Sequence, residues 1–381
     1  MKAYRRARNS LDDAVGTSRW ERSAARLTRE DALARDFQLD LGSLAEAAWA
    51  YVGDSVWEPL APPARDDAPD AEVGTPVQAL VELLSALARR QHEHRQRTAD
   101  RLTTVPQTRL LPDDLTDMAT YYLTKAHRDL GQAGASRRGM QHVADGDGPL
   151  APAARRGLAH LARIAGDFPT AYDAARTLGW KGRQHRVMGD LWWPHGAIDQ
   201  ALASYAAARD QAEEHGVAGE RATSQAHLAL AAAFADPARA DDEITLAQQL
   251  LDGLDLRATT LTAQIAALIR DAGTPDVDDR ARTLRTEVEA AGVVVLQTTL
   301  ELALCFHHSV LGTEQLATGL DRMRQVTRGG DYAYYIDIAH FMVGRPVPRG
   351  SRARWLEGEH SARERWRALV TARQEYLRGA R

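Results

Sequence analysis

From residue 113 to about residue 339, apolar side chains recur at spacings of three and four, and almost no segment alternates apolar with polar residues as a half-buried strand would. A chain patterned this way can bury its apolar surface only by packing helix against helix, so the expected class is all-α. With 381 residues, 44% of them hydrophobic and 26% charged, there is enough apolar surface for a large core. Three stretches interrupt the pattern: 58–76 with Pro59, Pro62, Pro63 and Pro69 among acids, 144–152 with Gly146, Gly148 and Pro149, and 344–350 with Pro346 and Pro348. They divide the chain into an N-terminal helical segment (1–57), a linker rich in proline and acid (58–75), a long helix with its connection (76–112), a helical array (113–343) and an Arg-rich C-terminal helix (344–381). In the N-terminal part, 20–37 and 43–51 read as helices. Residues 76–102 read as one longer helix, with His92, Glu93, His94, Arg95 and Arg97 forming a solvated tail.

The array shows itself at its turns. Leu130-Gly131, Ala165-Gly166-Asp167-Phe168 and His195-Gly196-Ala197-Ile198 each read as a helix ending at a glycine, and a small residue follows in the next helix at Ala135, Ala171 and Ala201. A looser fourth copy runs from Ala235-Asp236-Pro237 to Ala240. The spacing of these alanines scatters around a period of roughly 34 residues. The best copy holds Gly189, Gly196, Ala201, Tyr205 and Ala208; two of its glycines and two of its alanines lie seven residues apart, about two helical turns. Small residues on facing sides let two helices approach closely, and Tyr205 fills the space above them.

On these residues the chain resembles the tetratricopeptide repeat (TPR) family. The stretch from 113 to about 339 is also similar to the C-terminal repeat region of actinobacterial signalling ATPases of the STAND type. The resemblance implies a TPR-like α-solenoid of antiparallel helix pairs, with a less regular N-terminal part and a C-terminal capping helix. It also implies that the first helix of each pair lines a concave surface, where a protein or peptide partner binds. Such ATPases carry a phosphate loop, but no G-x-x-x-x-G-K-[ST] occurs here, and the nearest glycine pairs, Gly131 to Gly139 and Gly179 to Gly182, lack the Lys-Ser/Thr ending. The chain would then be a signalling arm without its motor, or a split or truncated product of such a gene.

Charge and cysteine content bound the remaining classes. The formal net charge of -4 argues against a binder of nucleic acid or membrane that works through bulk positive charge. The charge is nonetheless polarised, since residues 345–381 hold ten arginines against four glutamates. Trp355, Leu356, Trp366, Leu369 and Val370 could form an apolar stripe there, with three uses open: a cap folded back on the array, a partner-docking helix, or a DNA-associated regulator. Cys305 is the only cysteine, which fits a reducing, cytoplasmic setting. The start carries Lys2, Arg5, Arg6 and Arg8 but no apolar run after them, so no secretion signal is expected. The most apolar stretch, 293–311, is interrupted by Gln297, Glu301, His307 and His308 and is expected to be a buried helix rather than a membrane span.

The candidate binding residues are Trp180, Lys181, Arg183, Arg186, Asp190, Trp192 and Trp193, the strongest concentration of aromatic and basic side chains in the array. Aromatic anchors with arginines suit a groove that holds a peptide and its carboxylates. No catalytic residue, metal or cofactor is expected. Glu301, Cys305 and His308 share a helix face that could host a nucleophile pair or a metal, and His307, or His340 beyond Tyr332, Tyr334 and Tyr335, could add a ligand; core packing is the plainer role for all of them. Asp241, Asp242 and Glu243 are expected to open a helix, and Asp145-Gly146-Asp147-Gly148 is read as a turn because it lacks the remaining ligands of a calcium loop.

Overall fold

The computed structural model describes residues 76–379, and those residues are all-helical, with one isolated parallel bridge between Asp167 and Arg354 and no strand. The helices expected at 20–37 and 43–51 and the linker at 58–75 lie outside the described residues. In chain order the helices are α1 (Pro76–Arg89), α2 (Arg95–Thr103), α3 (Val105–Thr108), α4 (Asp113–Asp129), α5 (Ala133–Asp145), α6 (Ala151–Ile164), α7 (Phe168–Ala175), α8 (Gln184–Trp192) and α9 (Ile198–Glu214). They continue as α10 (Ala218–Ala235), α11 (Pro237–Leu251), α12 (Arg257–Arg270), α13 (Val277–Ala291), α14 (Val294–Leu311), α15 (Leu316–Val326), α16 (Tyr334–Met342) and α17 (Gly358–Gly379).

The single long helix expected over 76–102 is two. The chain leaves the helix after Arg89, and His94, in extended backbone, caps α2 by accepting the amide of Gln96 on its Nδ1 at 3.1 Å. The expected solvated tail is engaged elsewhere: His92 pairs with Asp255 at 2.8 Å, and Arg95 with Asp129 at 3.3 Å.

At the array's turns, Gly131, Gly166 and Gly196 take left-handed φ values of 72°, 78° and 65°, a backbone that glycine adopts without strain. Five residues after each glycine, a fully buried small side chain meets the preceding helix: Ser136, Ala171 and Ala201. Ala135, expected in that role, is exposed and one residue out of register. Ser136 fits the place because its hydroxyl donates to the Thr124 carbonyl at 2.7 Å, so a polar group is buried without loss. In the best copy, a Cβ on Gly189 would stand 2.5 Å from the Tyr205 ring, whose hydroxyl donates to Asp190 at 2.8 Å.

Successive helices pack most extensively against their neighbours in the chain, but distant parts also meet. The Tyr332 amide donates to the Ile164 carbonyl at 2.9 Å, Asp331 accepts the Ala133 amide at 2.8 Å, and Arg257 donates to the His92 carbonyl at 3.3 Å. These contacts bring distant parts of the run together, and its inner face bounds a half-open cavity.

The C-terminal helix begins at Gly358, not near 344, because Pro346 and Pro348 hold the preceding chain out of helix. That preceding strip lies across α6 and α7: the Arg354 amide donates to the Gly166 carbonyl at 2.8 Å, and Trp355 stacks on Phe168 with ring centroids 5.0 Å apart. From there α17 crosses the ends of four other helices. Trp366 donates to the Pro194 carbonyl at 2.8 Å, just past α8. Arg373 donates to the Ala233 carbonyl of α10 at 2.6 Å and to Ile269 and Arg270 of α12 at 2.8 and 2.9 Å. Gln374 reaches the Ser309 and Val310 carbonyls of α14 at 3.3 and 3.1 Å. The last carbonyls of a helix have no partner within it and carry the negative end of its dipole, so a guanidinium there satisfies both needs. Of the expected apolar stripe, Trp355, Trp366 and Val370 are buried, while Leu356 and Leu369 are half-buried.

Candidate functional site

The cavity has a volume of about 380 Å³, and α4, α6, α8, α10, α12, α14 and α16 ring it, while α5, α7, α9, α11, α13 and α15 contribute nothing to its lining. Side chains on one face of a helix recur every three or four residues, and each inner helix presents such a set. From α4 come Tyr121, Lys125, Arg128 and Asp129; from α6, Arg156, His160 and Arg163; from α8 and the residues flanking it, Arg183, Arg186, Asp190 and Trp193. The N-terminal ends of α10, α12 and α14 supply Val217, Glu220, Thr223 and His227, then Leu256, Thr259 and Thr262, then Val293, Val295, Leu296 and Thr299. Tyr332 and Tyr335 close the ring, with Arg90, Gln91 and Arg95 beside them.

Among the described residues, eight lining side chains are arginine or lysine (Arg90, Arg95, Lys125, Arg128, Arg156, Arg163, Arg183 and Arg186), against three carboxylates, Asp129, Asp190 and Glu220. Two of those carboxylates each hold a pair of arginines. Asp129 binds Arg95 at 3.3 Å and Arg128 at 2.7 Å, and Glu220 binds Arg183 at 3.4 Å and Arg186 at 2.5 Å. Burial alone would raise both carboxyls, but the guanidiniums around them hold each below its ordinary value. Among the described residues no carboxylate lies within 4.0 Å of Lys125, Arg156 or Arg163.

Burial pushes the Lys125 ammonium well below the usual lysine value, and it pushes His160 well below the usual imidazole value, with Arg163 and Arg128 adding to the effect. His160 is therefore neutral near pH 7. Its Nδ1 and the Nε of Arg163 are buried without a hydrogen-bond partner, although each residue is only 7% exposed. Asp190 lies between His160 and His227, at 3.9 and 3.7 Å, with the Tyr205 hydroxyl donating to it. The helix starts at the wall share one more property: the N-cap residues Arg183, Val217, Leu256 and Val293 give α8, α10, α12 and α14 no capping side chain. The positive ends of four helix dipoles thus border the same space.

Of the seven sequence candidates, Arg183, Arg186, Asp190 and Trp193 line the cavity. Trp180 does not: its ring stacks on His215 at 4.4 Å and carries the Arg183 guanidinium 3.9 Å above it, which holds that arginine in place. Lys181 is exposed on the turn before α8, and Trp192 meets Tyr172 edge-on outside the ring. The sequence reading missed Arg95, Lys125, Arg128, Arg156, Arg163 and Glu220.

The face of Glu301, Cys305 and His308 does not assemble as a site. Glu301 is taken by Arg285 at 2.8 Å, burial raises the Cys305 thiol far above its ordinary value, and His308 turns to Asp278 at 3.3 Å. Asp278, His307 and His308 do bring ligand atoms within 4.8 Å of one another. However, His307 Nδ1 accepts the Gly273 amide at 3.0 Å, so in the neutral ring the proton sits on Nε2 and no lone pair remains for a cation. Asp241, Asp242 and Glu243 do not open their helix; Asp236 does, accepting the amides of Ala238 and Arg239 at 3.0 and 3.2 Å. His340 is half-buried in α16, away from the cavity lining. Val294–Leu311 has the length and composition of a membrane span, and 78% of it is buried inside the protein.

Compared with family models, with curated proteins and with solved structures, the chain matches none.

Proposed function

We propose that this chain is a non-catalytic binding protein, a sensor or scaffold arm of TPR-like architecture, whose cationic inner cavity takes an anionic ligand. The observation that carries the reading is the charge of the lining, eight cationic side chains to three carboxylates in about 380 Å³. Like charges held close together at a partly buried site repel one another, so a surplus of this kind suits a ligand that neutralises it. The TPR-like reading draws support from the alternation of inner and outer helices and from the glycine turns in common register. In such an array the first helix of each pair faces inward and lines the concave surface that a protein or peptide partner uses.

The reading as a DNA-associated regulator draws on the C-terminal arginines, and the fold uses several of them. Arg373 is spent on helix ends, Arg363 pairs with Glu359, Arg365 with Glu357 and Arg354 with Asp167.

Calorimetric titration of the intact chain with inorganic pyrophosphate, citrate, hexaglutamate and, as a cationic control, spermidine tests the anion site. Binding of at least one anion, weakening as salt rises and absent for spermidine, is the expected result. Failure of all three anions to bind at low salt would remove the basis of the proposal.

A further inference from the structure

We propose that the ligand of this cavity is a small molecule carrying two or more phosphate groups, held between the arginines of α4, α6 and α8 and the uncapped starts of α10, α12 and α14. The proposal rests on the reading of the cavity as an anion site and goes further by naming the anion.

Charge density makes the first distinction. Among the described residues the lining has five more cationic side chains than carboxylates. A phosphate monoester brings about -1.5 to -2 at neutral pH, so two or three phosphates offset that surplus. Carboxylates bring one charge each, and a peptide with five of them is too large for about 380 Å³. That volume falls in the range of roughly 300 to 1,000 Å³ typical of small-molecule sites. The half-open space, bridged on one side by the Tyr332 to Ile164 hydrogen bond, is of a size that suits a compact molecule.

Donor geometry makes the second. Seven of the eight cations are arginines, whose fork pairs with two phosphate oxygens at once. Glu220 holds Arg183 and Arg186 in fixed orientation, and Asp129 does the same for Arg95 and Arg128, so these guanidiniums are arranged before any ligand arrives. Lys125 and Arg156 have no carboxylate within 4.0 Å among the described residues, and Arg163 Nε is buried without an acceptor. A planar carboxylate accepts along one plane, whereas a tetrahedral phosphate accepts from several sides, as this lining requires. In the same lining, α10, α12 and α14 begin at Val217, Leu256 and Val293 without capping side chains. Helix starts of that kind bind phosphate through backbone amides and dipole together.

The test is calorimetry on the intact chain at physiological salt with four probes: inorganic pyrophosphate, ADP, citrate and hexaglutamate. Pyrophosphate or ADP is expected to bind at least tenfold more tightly than citrate or hexaglutamate, and the tighter of the two phosphates tells whether an organic body adds contacts. Lys125→Met should weaken the phosphate probe at least tenfold while thermal unfolding shows it folded, and Arg324→Ala, which removes a surface arginine paired with Asp321, should leave binding unchanged. Citrate or hexaglutamate binding as tightly as both phosphates overturns the phosphate assignment and leaves the anion site standing. No binding by any probe overturns both. Phosphate binding unaffected by Lys125→Met places the phosphate outside this cavity and overturns the proposal.

Discussion

Arg373, on the last helix, donates to the Ala233 carbonyl at 2.6 Å, joining the end of α10 to a helix that follows it by more than a hundred residues. The same guanidinium holds two carbonyls at the end of α12, and burial lowers it to about 10, still charged at neutral pH. Arg373→Met should therefore destabilise the fold by about 3 kcal/mol, since three carbonyls lose a charged donor in a site closed to water. Arg373→Lys should recover only part of this, because an ammonium cannot span both helix ends. Denaturant midpoints of the three proteins check it; a Lys variant as stable as the wild type would show that charge alone suffices.

Gly189 has a narrower role. Any side chain there meets the Tyr205 ring at 2.5 Å, and Tyr205 is fixed by its bond to Asp190. Gly189→Ala should cost about 2 kcal/mol through overpacking. Gly189→Ala combined with Tyr205→Leu should cost less than the sum of the two single changes, a coupling that a double-mutant cycle of unfolding energies would reveal.

Lys125 should behave in the opposite way. Its buried charge has no carboxylate within 4.0 Å among the described residues, so Lys125→Met should stabilise the ligand-free protein by about 1 kcal/mol while weakening anion binding. The pH dependence follows from the lowered folded value. The unfolded chain holds the Lys125 proton more strongly than the folded one, so stability rises with pH between the depressed folded value and the ordinary lysine value, and Lys125→Met should flatten that rise. Melting temperatures measured up to about pH 9, below the ordinary range of tyrosine, would expose the difference between the two proteins.

Acid should act through His195. This buried ring donates from Nδ1 to the Leu191 carbonyl at 2.8 Å and accepts the Leu356 amide on Nε2 at 3.0 Å, so the fold needs it neutral. Burial lowers it to about 4, helped by Arg365 and opposed by the Leu191 carbonyl and Glu357. Below about 4 both states are protonated and the fold carries the full penalty; between about 4 and 6.5 stability climbs with pH; above 6.5 it is constant. The span amounts to about 3 kcal/mol. Asp337, raised to about 6 by burial, slopes the other way in the same window. The measurement is therefore the difference in unfolding energy between wild type and His195→Gln from pH 4 to 7, which should grow as pH rises. A flat difference would mean that the ring is not held neutral.

The helical class and the turns were legible because they depend on local facts: apolar spacing, and glycines where the backbone turns left-handed. The register was legible only to within a residue, since Ser136 and Ala135 are both small and only the Thr124 carbonyl chooses between them. Part of the site was visible because Arg183, Arg186, Asp190 and Trp193 fall close together in the chain. Arg128, Arg156 and Arg163 were not, because an arginine on the inner face of a helix has the same sequence neighbours as one in water. The recurrence of cations at spacings of three and seven in α4, α6 and α8 was the available signal, and it gains meaning only once those helices are known to face one space.

The hydrogen bond from Tyr332 to Ile164 has a consequence for how such a protein can change over generations. Units that touch only their nearest neighbours can be gained or lost at either end, each deletion removing its own share of stability. The span between Ile164 and Tyr332 has no spare end. Removing helices within it would pull that contact out of alignment, so changes in length there should be tolerated less well than changes in side chains or outer loops.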